Sequence, residues 1–176
     1  RLVGDLLDLD ALRHGLHEII GRLLDLLAEF EDVGALGGDH ADVPLEPMQG
    51  KLTAVTAAES RASMILDISD FTEDEQIMWA GTFATAFLHA KKSAKSPVLV
   101  VWEECQELIP QMVSGKEAQK TLRAVQRLIK RGRNYGVGTL LISQRSAAVN
   151  KEALNQIETL FAFRTVGPQD RDAISD

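Results

Sequence analysis

The stretch V-L-V-V-W-E-E at residues 98 to 104 is a run of five apolar residues followed by two adjacent carboxylates. A run that is apolar at every position predicts a strand buried on both faces, as in the interior of a parallel sheet. Ligands of such sheets bind beyond the carboxyl ends of the strands, so Glu103 and Glu104 are expected at a binding edge. There one carboxylate can hold Mg²⁺, usually through water, while the other polarises the water that attacks a γ-phosphate. The alternative is a strand that simply ends in solvated acids.

Segments of strand and helix character alternate around this stretch. Further strands are predicted for the apolar runs at 64 to 68, 137 to 143 and 159 to 163. Helices are predicted over residues 70 to 92 and 116 to 130, and two more are predicted to start at Asn150 and Pro168. This alternation is typical of an α/β fold in which helices flank a mainly parallel sheet.

The first 50 residues differ in character from the rest of the chain. Residues 5 to 31 carry apolar side chains every three or four positions, which predicts an amphipathic helix, and a turn-rich connection with several glycines and prolines follows. The net charge is -7, and the acidic excess lies in residues 1 to 50. We therefore predict an acidic helical insertion at 1 to 50 and a core domain at 51 to 176.

Polar residues also follow and precede the predicted strand at 137 to 143. In L-L-I-S-Q-R at 140 to 145, Gln144 could link a γ-phosphate or the attacking water to the neighbouring strand. In R-G-R-N-Y-G at 131 to 136, a rigid guanidinium suits stabilisation of a transferring phosphoryl group, including one bound by a neighbouring subunit. The ordinary alternatives are a loop glutamine and arginines that offset a helix dipole.

The predicted helix over residues 116 to 130 has two distinct faces. Its bases recur every three or four residues, at Lys116, Lys120, Arg123, Arg127 and Lys130. Apolar residues repeat with the same spacing two positions later, at Ala118, Leu122, Val125 and Ile129. Two residues are about half a helical turn, so a basic face is predicted opposite a buried one. Such a face could contact DNA phosphates without base specificity, or it could simply be solvated.

Four segments of the chain together resemble the HerA/FtsK superfamily of ring ATPases, particularly the HerA-like helicases. They are I-L-D-I-S-D-F at 65 to 71, E-E-C-Q-E-L-I-P at 103 to 110, G-R-N-Y-G-V-G-T-L-L-I-S-Q-R at 132 to 145 and A-F-R-T-V-G-P-Q-D-R at 162 to 171. The second stands in the place of the family's D-E-A-H-x-F-x-P Walker B segment. The resemblance implies a RecA-like P-loop NTPase core that hydrolyses ATP with Mg²⁺. It also implies a ring, hexameric in this family, that translocates along DNA, with a nuclease as one partner to consider.

The resemblance also implies roles for individual carboxylates and amides. It makes Glu103 the Walker B residue that holds the metal, where Asp is more usual, and Glu104 the catalytic carboxylate. Gln144 falls on the sensor glutamine at the end of the next strand and is expected to contact the nucleotide. Glutamate at 103 is one methylene longer than aspartate, which alters the geometry expected of the metal site.

Four arginines are candidates for contacts with the nucleotide. Arg133 matches the arginine that related conjugation motors direct toward the nucleotide of a neighbouring subunit, and Arg131 is the competing candidate. Arg145, next to the sensor glutamine, is a candidate for binding the nucleotide, and Arg164 is a further one.

The sequence contains no G-x-x-x-x-G-K-[ST] phosphate-binding loop. Gly50 and Lys51 are adjacent, but Leu45 occupies the position of the first glycine and Leu52 replaces the Ser or Thr that would hold Mg²⁺. In the resembling family the loop precedes the helical segment. We therefore expect it in sequence upstream of this chain, and we expect the chain alone to be inactive as an ATPase.

Two other functions are compatible with the sequence. One is a conjugation or secretion ATPase that moves protein, and the other is a non-catalytic interaction module that lacks a phosphate-binding loop. The single cysteine, Cys105, excludes an intramolecular disulfide and is expected to be packed. No apolar run is long enough to span a membrane and no signal peptide is recognisable, so a cytoplasmic location is expected.

Overall fold

A computed structural model describes residues 33–39, 41–60, 62–163 and 167–175. The helix predicted over residues 5 to 31 and the candidate Arg164 both lie outside the described residues.

The strands of the described part form two parallel pairs. They are β1 (Val33–Leu36) with β2 (Ser63–Leu66), and β3 (Val98–Trp102) with β4 (Val137–Leu141). In the second pair, Val98 lies opposite Val137 and Trp102 lies opposite Leu141. Parallel strands require a crossover connection, and each pair is joined through a segment that contains a helix. The predicted α/β class, with parallel strands and flanking helices, is confirmed.

The described part of the chain contains five α-helices. They are α1 (Gly50–Glu59), α2 (Glu73–Lys91), α3 (Lys116–Gly132), α4 (Lys151–Leu154) and α5 (Pro168–Ala173). Short 3₁₀ turns lie at Pro47–Gln49, Cys105–Glu107, Arg133–Tyr135 and Ser146–Ala148. The helices predicted over 70 to 92 and 116 to 130 are α2 and α3, and the starts predicted at Asn150 and Pro168 are those of α4 and α5. None of these helices is long and apolar enough to cross a membrane.

The start of α2 is fixed by its own sequence. The backbone N–H of Glu75 donates to Thr72 Oγ1 at 3.4 Å, and the Glu75 carboxylate accepts from the backbone N–H of Thr72 at 2.9 Å. This reciprocal pair satisfies two backbone donors that the first turn of a helix would otherwise leave free. Its hydrogen bonds also hold the pKa of Glu75 below the usual value for a glutamate.

The core lies between α2, α3 and the inner face of the strands. Trp79, Phe83 and Phe87 stack along one side of α2 with ring centroids 5.0 and 5.3 Å apart, and Trp102 meets Phe83 edge-on at 6.2 Å. Successive rings lie four residues apart, so they share one helical face. This aromatic cluster attaches the end of β3 to the helical layer.

The strand β3 is covered on one face only within the described part of the chain. Val98 and Val100 pack against the core, whereas Leu99 and Val101 are 60% and 42% exposed. The prediction of a strand buried on both faces is therefore wrong for the described residues. Among the described residues, no covering layer lies over the face that carries Leu99 and Val101.

Two elements of the fold were not predicted from the sequence. β1 occupies part of the segment interpreted as a turn-rich connection. Its four residues include Gly34 and give no strand pattern of their own. The strand forms because its backbone pairs with β2. α1 consists mainly of small residues, and Ala54 and Ala58 are buried without a recognisable apolar period. The division at residue 50 stays a prediction, although β1 from its first part pairs with β2 from its second.

The strand predicted at 159 to 163 is wrong. These residues are irregular, and Leu160, Phe161 and Phe163 are largely exposed. An isolated extended segment has no ladder to join, and no strand of the described part pairs with it. Apolar content alone was therefore not sufficient to form a strand here.

We expect Gly81→Ala to destabilise the fold at the crossing of α2 and α3. A Cβ at position 81 would overlap Thr121 Oγ1 and lie 3.1 Å from Thr121 Cα, and the Thr121 hydroxyl is already bonded to the carbonyl of Ile77 at 2.6 Å. The helices must separate, so the free energy of unfolding should fall by about 1–3 kcal/mol although alanine is the better helix former. Urea unfolding measures the change. Thr82→Ala, at the exposed neighbouring position, is the control and should shift stability by less than about 0.5 kcal/mol.

Candidate functional site

The ends of β3 and β4 stay paired beyond the regular strands. The backbone N–H of Ile142 donates to the carbonyl of Trp102 at 2.9 Å, and the N–H of Cys105 donates to the carbonyl of Ile142 at 2.9 Å. Both bonds are made by Ile142, one to Trp102 and one to Cys105. Glu103 and Glu104 therefore lie between two residues that bond to the same partner. The chain bends outward there and presents both carboxylates at the sheet edge.

Glu104 adopts an unusual backbone conformation at this bend. Its φ of 45° and ψ of 44° place it in the left-handed region, and it is the one non-glycine residue with positive φ in the described part of the chain. For a residue with a Cβ this conformation costs about 1–2 kcal/mol. Such strain persists where surrounding contacts enforce it, and it is concentrated at functional sites.

Two side-chain amides hold the Glu104 carboxylate. Gln144 Nε2 donates to Glu104 Oε1 at 2.5 Å, and Gln106 Nε2 donates to Glu104 Oε2 at 2.7 Å. Glu104 and Gln144, which the sequence placed at the ends of two separate strands, thus meet at the same edge. Hydrogen bonds to an ionised acceptor are stronger than those between neutral groups, so this contact fixes the carboxylate.

Gln106 belongs to this cluster and was not identified from the sequence. It is 8% exposed, and its Oε1 accepts a bond from the Ser143 hydroxyl at 2.6 Å. The available signal was a glutamine directly after Cys105, in a turn where Cys105 and Leu108 are buried and Glu107 is exposed. It became interpretable only when Ser143, 37 positions later, was placed beside it.

Glu103 takes no part in these hydrogen bonds and is exposed. Its carboxylate oxygens are hard ligands, and Mg²⁺ in nucleotide sites is typically held by one or two carboxylates together with waters and substrate phosphates. The donor chemistry therefore fits Mg²⁺ at Glu103. The described residues contain no group of three or more His, Cys, Asp or Glu side chains that could form a metal cage.

The candidate arginines lie in two different places. Arg131 and Arg133 end α3 and precede β4, so they occupy the sheet edge opposite the one that carries Glu104. A strand of five residues is roughly 15 Å long, which separates these arginines from Glu104 within one chain. Arg133 forms an exposed ion pair with Glu158 at 3.3 Å. Arg145 is exposed beside Gln144, on the same edge as Glu104.

The helix α3 carries the predicted basic face on its solvent side. All five bases are exposed, and Thr121, Val125 and Leu128 are buried on the opposite side. The buried line is rotated slightly from the predicted one, since Leu122 and Ile129 are only half-buried. Lys120 pairs with Glu117 at 2.6 Å, which partly neutralises one end of the face.

Cys105 is packed, as predicted. Burial raises the pKa of its thiol to about 11, so the thiolate is scarce at neutral pH. Thiolates rather than thiols are nucleophiles, and Cys105 is therefore a structural residue.

One groove of the described part lies away from Glu104. It has a volume of about 410 Å³ and lies between α3 and the start of α4, where Gln119, Arg123 and Lys151 line it. It is open and polar.

Curated relatives match part of this chain. Over 78 residues it is 36% identical to the DNA double-strand break repair helicase HerA of Pyrococcus furiosus, which is 44% of this chain and 13% of that protein. Over 81 residues it is 32% identical to HerA of Sulfurisphaera tokodaii, covering 46% of this chain and 16% of the relative. A probable helicase of Methanocaldococcus jannaschii is 26% identical over 121 residues, covering 62% and 22%. The chain thus spans less than a quarter of the length of each relative. No protein-family model matches it.

The fold is shared with a solved viral NTPase. The genome packaging NTPase B204 of Sulfolobus turreted icosahedral virus 2, determined in complex with ATP-gammaS, aligns with a TM-score of 0.57 and 12% sequence identity. The alignment covers 92% of this chain and 74% of that one. At this identity the likeness speaks for the fold alone. The sequence relatives confirm the predicted resemblance to HerA-type helicases, and the fold is that of a P-loop NTPase.

Proposed function

We propose that this chain supplies the Walker B and sensor part of an ATPase that translocates along DNA. The observation that carries the proposal is the contact between the Glu104 carboxylate and the Gln144 amide at the carboxyl ends of β3 and β4. In parallel α/β sheets this edge is where ligands bind. HerA relatives are named as DNA repair helicases, and the viral neighbour is a packaging NTPase that was solved with an ATP analogue.

The strand ends divide the chemistry between two carboxylates. Glu103, exposed and without a bonding partner among the described residues, would hold Mg²⁺ through water. When bound, the ion would neutralise charge on the β- and γ-phosphates. Glu104 would accept hydrogen bonds from the attacking water and orient it. Each Glu104 oxygen takes one amide hydrogen bond and so retains capacity for a water.

Gln144 would connect this step to the rest of the molecule. Gln144 follows β4, and its amide contacts Glu104. Loss of the γ-phosphate would change the bonding of Glu104 and, through this contact, the hydrogen bonds beyond the end of β4. Arg145 on the same edge would contribute positive charge to nucleotide binding. The phosphate-binding loop, which the sequence lacks, would come from sequence outside this chain.

Charge in the transition state would be stabilised in trans. Arg133 and Arg131 lie on the sheet edge opposite Glu104, which suits contact with the nucleotide of an adjacent subunit better than contact with the nucleotide of their own. Arg133 would exchange its exposed partner Glu158 for phosphate oxygens, an exchange of small cost because exposed ion pairs contribute little stability. This arrangement requires a ring, and a hexamer is the form that the family resemblance implies.

DNA would be contacted by the basic face of α3. Its exposed lysine and arginine side chains lie along one side of the helix. Contacts from such side chains to phosphates do not depend on the nucleotide sequence. The charged ends of these side chains project into solvent while the opposite side packs on α2. The face is therefore available to a polyanion without a change in the core.

The test is DNA-stimulated ATP hydrolysis by the protein encoded by the complete gene, measured over a range of salt concentrations. Replacing Arg123, Arg127 and Lys130 with glutamine should abolish stimulation by DNA and lower the slope of log affinity against log salt by up to about 3. The matched control replaces three cations outside α3, namely Lys51, Lys92 and Lys95, and should preserve stimulation.

The remaining outcomes separate the other two functions. Hydrolysis that is indifferent to DNA in the unmodified protein would favour an ATPase that moves protein, and the basic face would then be a solvated surface. A complete absence of hydrolysis would favour a non-catalytic interaction module.

A further inference from the structure

Gln106 is a buried amide at the junction of the two strand ends. It follows Glu104 by two residues, lies in the 3₁₀ turn Cys105–Glu107 and is only 8% exposed. Resting on the proposed function, we propose that Gln106 is a positioning residue for ATP hydrolysis. It holds Glu104 in one orientation and couples that orientation to the end of β4 through Ser143.

The hydrogen bonds around Gln106 all run in one direction. The backbone N–H of Arg145 donates to Ser143 Oγ at 3.0 Å, and the Ser143 hydroxyl donates to Gln106 Oε1 at 2.6 Å. Gln106 Nε2 then donates to Glu104 Oε2 at 2.7 Å. A backbone N–H can only donate and an ionised carboxylate can only accept, so the two ends of this chain of bonds fix its direction. The orientation of the Gln106 amide follows from its partners and is not arbitrary.

This chain of bonds restricts a side chain that would otherwise be mobile. A glutamate has three rotatable side-chain bonds, and ordering them costs conformational entropy. Gln106 and Gln144 each bind a different oxygen of Glu104, so the carboxylate plane is defined by two contacts. A carboxylate that acts on water must be held close to its productive geometry before the reaction.

The same chain of bonds links Glu104 to residues 143 to 145. Ser143 acts on the carboxylate through Gln106, and Gln144 acts on it directly. A displacement of this turn would therefore change both contacts at once. The end of β4 is in this way coupled to the orientation of Glu104 through side chains that the sequence separates by about 40 positions.

Gln106→Met tests the positioning role in the protein encoded by the complete gene. Methionine has nearly the same length but neither donates to Glu104 nor accepts from Ser143. We expect kcat for ATP hydrolysis to fall about 10- to 100-fold while KM for ATP stays within about 2-fold, because geometry for the reaction is lost and binding is not. Gln106→His should recover most of the rate, since a neutral imidazole donates at one nitrogen and accepts at the other.

Two further variants distinguish positioning from a general loss of structure. Ser143→Ala should reproduce the defect of Gln106→Met, and the double variant should be no worse than Gln106→Met alone, because both belong to one chain of bonds. The matched control is Gln126→Met: this amide is also partly buried and donates to Asn150 Oδ1 at 2.9 Å, away from Glu104. It should keep both kcat and KM.

The failure of this inference differs from the failure of the proposed function. If Gln106→Met keeps full kcat while Glu104→Gln is inactive, the positioning role is overturned and the ATPase stands. Additive losses in the double variant, or equal losses in Gln126→Met, would overturn it too. An unmodified protein that does not hydrolyse ATP overturns both.

Discussion

Glu104→Gln is expected to reduce kcat for ATP hydrolysis by at least about 100-fold, the contribution typical of a positioned general base. The substitution preserves the size and hydrogen-bonding length of the side chain but removes the charge that would draw a proton from water. Gln106 can still donate to the new amide oxygen, and Gln144 can turn its own oxygen toward the new amide nitrogen, so the turn should keep its shape. KM for ATP should change little, because binding does not depend on this charge.

Steady-state hydrolysis by the protein encoded by the complete gene, with and without DNA, measures this effect. Glu107→Gln makes the same chemical change three residues later in an exposed side chain and should leave kcat unaltered. If Glu104→Gln retained most of the activity, the carboxylate that acts on water would have to lie elsewhere. Loss in both variants would indicate a general sensitivity of this turn to charge.

Phe87→Ala is expected to lower the free energy of unfolding by about 3–5 kcal/mol, a large share of the stability of an ordinary domain. Phe87 is 1% exposed and stacks on Phe83, which in turn contacts Trp102 at the end of β3. The cavity left by the missing ring would lie at one end of the aromatic stack, within the buried core. The loss therefore combines the transfer of apolar surface with unfilled volume.

Urea unfolding followed by tryptophan fluorescence suits this measurement, because both tryptophans of the chain, Trp79 and Trp102, belong to the cluster. Phe161→Ala is the matched control: the ring is 76% exposed, and its removal should change stability by less than about 0.5 kcal/mol. A small effect at Phe87 would mean that the cluster repacks around the gap.

The elements predicted correctly from the sequence are those whose signals are local. β3 is a continuous apolar run, α2 begins with Thr72 and Glu75 in capping positions, and α3 alternates a basic with an apolar face. Each of these signals depends on residues within a few positions of one another. β1 was missed because its strand character comes from pairing with β2, about 30 positions away. Residues 159 to 163 have apolar character but no partner, and their prediction as a strand was wrong.

The candidate site shows the same limit at the level of side chains. Strand ends predicted that Glu104 and Gln144 would share an edge, and their side chains are in contact. The role of each in hydrolysis stays a prediction. Gln106 could not be identified in this way, because a buried glutamine acquires meaning only from what it bonds to, and Ser143 reaches it through the pairing of two strands.

The left-handed backbone conformation of Glu104 lowers the stability of the fold, whereas its carboxylate is the group proposed to act in hydrolysis. Glycine adopts a φ of 45° without a steric penalty, so the local backbone alone would favour glycine over glutamate. A ranking of variants by melting temperature alone would favour glycine at 104, which lacks the carboxylate. Libraries built for thermostability should therefore keep residue 104 fixed, since the non-glycine residue with a strained backbone is also the one on which turnover is proposed to depend.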